Sequence, residues 1–267
     1  MSADAVSLGR VTQRRVNRSE WTKLRSVRST RWTLLVALFL ILGIGILACV
    51  IFESRWTHLS PHDRLRFHPL RESLAGVNFA QLAFGVLGVL TITAEYSTGM
   101  IRSSLSAVPR RLPVLWGKAI VFGVCAFAIS LPAVFAVFFI GQAILTGHHL
   151  NIALSHPGVL RSLFGAALFL TVMGLFGLGL GAIVRNTAGG IALLVGIMFM
   201  LPPILDLLPS SVSDSISPYL PSNAGGAVWT INPDPNTLHP WVGLALFAGY
   251  AALSLAIAAV LLLRRDT

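Results

Sequence analysis

Six apolar runs, each long enough to cross a bilayer, recur along the 267 residues and limit what the chain can fold into. They cover Trp32–Phe52, Ser73–Ala94, Lys118–Thr146, Arg161–Val184, Ala188–Leu208 and Trp241–Leu263. In hydrocarbon every backbone N–H and C=O must be satisfied internally, so runs of this length and composition are expected as helices. Only 11% of the residues are charged, against about a quarter in a soluble domain. With a mean hydropathy of +0.77, the expected class is an all-α integral membrane protein of six transmembrane helices. The third run is long enough to tilt or bend, and Pro132 lies inside it. The first lies too far in, and is too long, for a cleaved signal peptide.

The distribution of charge gives the expected orientation. Of the twenty Lys and Arg, eight precede Trp32: Arg10, Arg14, Arg15, Arg18, Lys23, Arg25, Arg28 and Arg31. With the amino terminus inside, these join Arg102, Arg110, Arg111, Lys118, Arg185, Arg264 and Arg265, leaving only Arg55, Arg64, Arg66, Arg71 and Arg161 outside. That bias favours both termini in the cytoplasm, and it places all seven histidines outside. A net charge of +10 concentrated ahead of the first run belongs to a membrane flank, so a nucleic-acid partner is not expected.

Residues 1–31 then form a cytoplasmic tail with an amphipathic lead-in, and 32–267 the six-helix transmembrane domain. Within Asn17–Arg31, Trp21, Leu24 and Val27 recur at near-helical spacing among Lys23, Arg25 and Arg28, and Ser19 is placed to cap the start. Such a helix lies in the headgroup plane, with Trp21 at the interface and its cations on anionic lipid. It also serves as the flank that orients the first span.

The inner segment after the second run carries Glu95 at its start, Arg102 seven residues on, and Arg110–Arg111 between Pro109 and Pro113. This pattern suits a short helix ending at a basic turn. It is met equally by an interfacial turn with a snorkelling Glu95 and orienting cations. Two stretches, "SEWTKLRSVRSTRWTLL" (Ser19–Leu35) and "TAEYSTGMIRSSLSAVPRR" (Thr93–Arg111), resemble the permease subunit of type-2 ATP-binding cassette exporters, particularly the short actinobacterial-type members. The six-span layout and basic lead-in extend the resemblance over nearly the whole chain. Met100 departs from it, standing where related sequences often carry Thr.

The resemblance implies that the loop between spans two and three is a coupling helix docking on an ATPase subunit. Glu95, Tyr96, Thr98, Gly99 and Arg102 would carry that coupling, with the turn at Arg185 and Asn186 as a smaller contact. It implies a pathway for a hydrophobic or amphipathic substrate, export across the plasma membrane, and a second permease copy or a homologous permease as partner. ATP and Mg would then belong to the ATPase, and this chain would bind no cofactor.

No Gly-x-x-x-x-Gly-Lys-Ser/Thr occurs; Gly117–Lys118 is followed by Ala119. With ten acidic residues, none paired within a span, a membrane-embedded enzyme lacks the groups its chemistry needs. His148–His149 and the His58/His62 spacing offer at most a partial ligand set, so no metal is expected. Gly174, Gly177, Gly179 and Gly181 suit tight helix packing within one protomer, and less specifically a contact between protomers. Asn78, Gln81, Gln142 and Asp206 are the polar groups in or near spans; Asp206 and Glu95 lie close enough to span ends to reach water. The outer segment from Pro209 to Pro240 is expected either to dip back as short broken helices or to lie over the bundle. The remaining alternative is a non-transporting structural or regulatory subunit of a membrane complex.

Overall fold

The computed structural model describes residues 18–22, 28–58, 60–97, 112–231 and 236–264. Among them there is no strand, and six helices are long and apolar enough to cross a membrane. These are α1 (Arg31–His58), α2 (Pro69–Ser97), α3 (Leu112–His148), α4 (Val159–Val184), α5 (Thr187–Leu205) and α6 (Pro240–Arg264). The protein is thus multi-pass. Its helices run further than the apolar runs alone: α1 continues past Phe52 to His58, and α3 begins at Leu112 rather than Lys118. Pro113 is tolerated there because the first turn of a helix has no internal acceptor for its missing N–H.

Helix α4 is the axis. The most apolar window of α4 is 72% buried, against 22% for α1 and 17% for α5. It packs on α2, α3, α5 and α6, while α1 rests on α2 and α3. The closest approach is between α2 and α4, where glycines face each other. A Cβ on Gly88 would collide with the Gly174 carbonyl oxygen, and one on Gly177 with that of Gly85. Gly179 meets Ser254 of α6, and Gly181 meets Val89 and Ile92 of α2. The glycine-rich fourth span therefore packs within the protomer.

Two helices carry wide turns, each with a local cause. In α1 the segment Leu40–Ile44 is π-helical, and the bend at 74–76 of α2 presses against it: a Cβ on Gly76 would strike the carbonyl oxygens of Leu40 and Ile41. In α5 the π turn Gly196–Met200 immediately precedes Pro202–Pro203, whose rings deny that turn two amide donors.

The six helices alternate in direction. One end, called proximal, gathers residues 18–22 with the starts of α1, α3 and α5 and the ends of α2, α4 and α6. The distal end gathers the opposite termini and all seven histidines. There the segment between α5 and α6 forms the short helices Ser210–Ile216, Ser217–Tyr219, Pro221–Gly226 and Ala227–Trp229. It dips into the bundle between α4 and α6. Val228 packs on Gly165, and Gly225 meets Phe169 and Phe247, about 10–15 Å along α4 and α6 from their distal ends. Tyr250 Oη donates to the Tyr219 carbonyl at 2.8 Å, and Arg161 Nη2 to that of Thr230 at 2.9 Å, which ties the segment down.

Candidate functional site

Lys118 lies six residues into α3, about 9 Å from its start, in an otherwise apolar stretch. A cation there needs carboxylates, and two converge on it. Its Nζ donates to Glu20 Oε2 at 2.7 Å and to Glu95 Oε1 at 2.9 Å. The three residues are 3%, 2% and 6% exposed respectively, so this is a buried clasp joining residues 18–22, α2 and α3. Buried charges are tolerated when paired and hydrogen-bonded in this way.

Glu95 accordingly does not reach water, although it lies close to the proximal end of α2. Its neighbour Tyr96 turns to the other side and is half-buried. The Arg185 guanidinium lies over its ring, 5.3 Å from the centroid, and Nη2 donates to the Leu261 carbonyl of α6 at 3.3 Å. Arg185 ends α4 in the left-handed region, φ 57°, a conformation costing an L-residue roughly 1–2 kcal/mol. That bend carries the side chain back over Tyr96. Asn186 then caps α5, its Oδ1 accepting from Gly189 N at 2.9 Å. One residue on, Thr187 Oγ1 donates to Thr93 Oγ1 at 2.9 Å, and Thr93 in turn donates to the Val89 carbonyl. The last turn of α2 is thus tied to residues 18–22, α3, the α4–α5 turn and, through Arg185, α6.

Of the sequence-derived coupling residues, Glu95, Tyr96, Arg185 and Asn186 come together at this end. Thr98, Gly99 and Arg102 lie outside the described residues. So do Lys23, Leu24 and Arg25 of the interfacial helix, while Arg28 opens the helix that continues into α1. Residues 18–22 are helical and Trp21 is 51% exposed, as an interfacial tryptophan would be. Ser19 already sits inside that helix and so does not cap it.

No protein-family model matches the chain, and no curated protein matches it either.

Sequence reasoning missed Glu20 and the role of Lys118. A signal was available: Lys118 is one of only two lysines and is followed by an uninterrupted apolar run.

At the distal end the polar contacts are of other kinds. His148 Nδ1 lies 3.1 Å from Glu53 Oε1, joining the ends of α3 and α1. Gln142 donates to Ser73 Oγ at 2.9 Å and accepts from the Ile152 amide at 2.7 Å, an internal brace. Burial lowers the pKa of His68, with His156 and Arg71 pushing the same way, so its imidazole favours the neutral form. Among the described residues no three His, Cys, Asp or Glu assemble into a metal-binding group.

Proposed function

We propose that the chain is the transmembrane permease subunit of a type-2 ATP-binding cassette exporter. It would sit in the plasma membrane with both termini in the cytoplasm and pair with a second permease copy or a homologous one. A separate ATPase subunit supplies ATP, Mg and hydrolysis. The observation that carries this reading is the convergence on the last turn of α2. The segment that would meet the ATPase, residues 98–111, leaves directly from that turn. A push on it reaches α3 and residues 18–22 through the Glu95–Lys118–Glu20 clasp, and α4, α5 and α6 through Tyr96–Arg185 and Thr93–Thr187. A transporter needs such a rigid relay between a driven loop and its helices. Glu95 then acts by positioning α2, with any direct contact left to the residues that follow.

The test is purification of the tagged chain from its native membrane in mild detergent. A polypeptide with nucleotide-binding motifs should accompany it at about one per permease. In the reconstituted complex, Gly99→Pro should leave membrane insertion intact and reduce permease-dependent stimulation of ATP hydrolysis at least tenfold. Glu95→Ala is the less clean variant, because it also opens the buried clasp. A chain that purifies without any nucleotide-binding polypeptide, or a Gly99→Pro complex with normal stimulation, overturns the reading.

A further inference from the structure

A cavity of about 530 Å³ opens at the distal end, where the start of α2, the end of α5 and the dipping segment meet. Its volume falls in the range of small-molecule sites. Its described lining holds two carboxylates, Asp206 and Asp214, and no Lys, Arg or His. In a chain of net charge +10 that composition is selective. Amides and hydroxyls, among them Asn78, Gln81 and Asn223, supply neutral polar partners. Trp229 also lines it, and aromatic faces attract cations; Phe169, the other aromatic in the lining, is 2% exposed and packs on Phe247. The Trp229 indole Nε1 is buried with no hydrogen-bond partner among the described residues.

The surroundings of the cavity are apolar. Helix Ser210–Ile216 contributes Ser213 and Asp214 to the lining, while Val212 and Ile216, one turn apart, stand 40% and 43% exposed. Next to Asp206 in the chain, Leu207 is 86% exposed and Leu208 45%. An acidic cavity with a tryptophan in its lining, beside exposed apolar side chains, suits a ligand with a positive head and an apolar body.

We infer that this cavity binds an amphipathic organic cation, with its charge held by Asp206 and Asp214 and its apolar part against the 207–216 surface. A bare metal ion fits poorly, since two carboxylates in so large a space leave most of its coordination unmet. As a cargo site this rests on the exporter reading. As a binding site it does not.

The experiment uses the full chain in nanodiscs of zwitterionic lipid, without any ATPase, and radiolabelled tetraphenylphosphonium as probe, with empty nanodiscs subtracted. Saturable binding is expected. Tetraphenylborate, of the same shape and opposite charge, should not compete. Asp206→Asn/Asp214→Asn should weaken binding at least tenfold, and Asp214→Asn alone should weaken it measurably if the double variant purifies poorly. Asp63→Asn, an exposed carboxylate at the same end, should change nothing. Binding that survives loss of both carboxylates, competition by the borate, or full displacement by millimolar Mg²⁺ overturns the site. Because no ATPase is present, failure here leaves the permease reading standing, and loss of the ATPase partner leaves this site standing.

Discussion

Lys118 shows how a single buried cation organises its surroundings. Its two carboxylates come from residues 98 and 23 positions away, so no local pattern announces the pairing. Apolar periodicity reveals which stretches enter the membrane, but not which charges meet there. Lys118→Met should therefore act by stranding two buried carboxylates, at a cost of about 3–5 kcal/mol. Adding Glu95→Gln in the same background removes one of the stranded charges and should recover part of that loss. Thermal unfolding of the purified chain in detergent reads both. If the double variant is no more stable than Lys118→Met alone, the clasp is not an electrostatic unit. Glu95, Tyr96, Arg185 and Asn186 lie at one end of the bundle because each closes or follows an apolar run on that side. That Glu95 faces inward is not legible in the sequence, because the helix rotation that buries it is set by its pairing with Lys118, 23 positions away in the next helix.

The six spans follow from apolar run length, since hydrocarbon leaves the backbone little choice but to form helices of that length. Their ends are harder to read, because hydrogen bonding continues past the last apolar residue, as in α1 beyond Phe52. The dipping segment had two open outcomes in the sequence. Packing decides between them: Gly225 and Gly165 let it close against α4 and α6, a fit that residue spacing does not encode. The α2–α4 crossing depends on the same kind of closeness. Gly177→Ala places a methyl group against the Gly85 carbonyl, and Gly88→Ala places one against that of Gly174. Backbone cannot yield as a flexible side chain would, so each substitution should cost about 1–3 kcal/mol by overpacking. Gly249 in α6 has nothing within 4 Å of its would-be Cβ. Gly249→Ala should thus be neutral or stabilise by about 0.5–1 kcal/mol. Unfolding midpoints in detergent that fall equally for all three would remove close packing as the explanation.

At the scale of the whole molecule, the alternating helices put the described proximal residues and all seven histidines at opposite ends, and charge assigns each end a side. The fifteen-to-five bias in Lys and Arg favours a cytoplasmic proximal end, yet four of the five exceptions crowd the end of α1, the start of α2 and the segment between them. The structure softens that objection. Arg64 lies over the Trp56 ring, 5.4 Å from its centroid, and donates to the Thr57 carbonyl at 3.0 Å; Arg161 is held by Thr230. Cations engaged in the fold on the distal side cover local carbonyls and rings, whereas the cations before Trp32 and around 102–111 adjoin, in sequence, the proximal ends of α1, α2 and α3, where anionic lipid would attract them. Single cysteines in a background lacking Cys49 and Cys125 test the assignment. In intact cells a membrane-impermeant maleimide should label Ser60→Cys, which is exposed before the distal helix Pro61–Arg66, and should spare Thr267→Cys until the membrane is permeabilised. The reverse pattern would place the clasp and the 98–111 segment outside, beyond the reach of any cytoplasmic ATPase. The relay from α2 would then have nothing to drive it, and the chain would be better understood as a structural subunit.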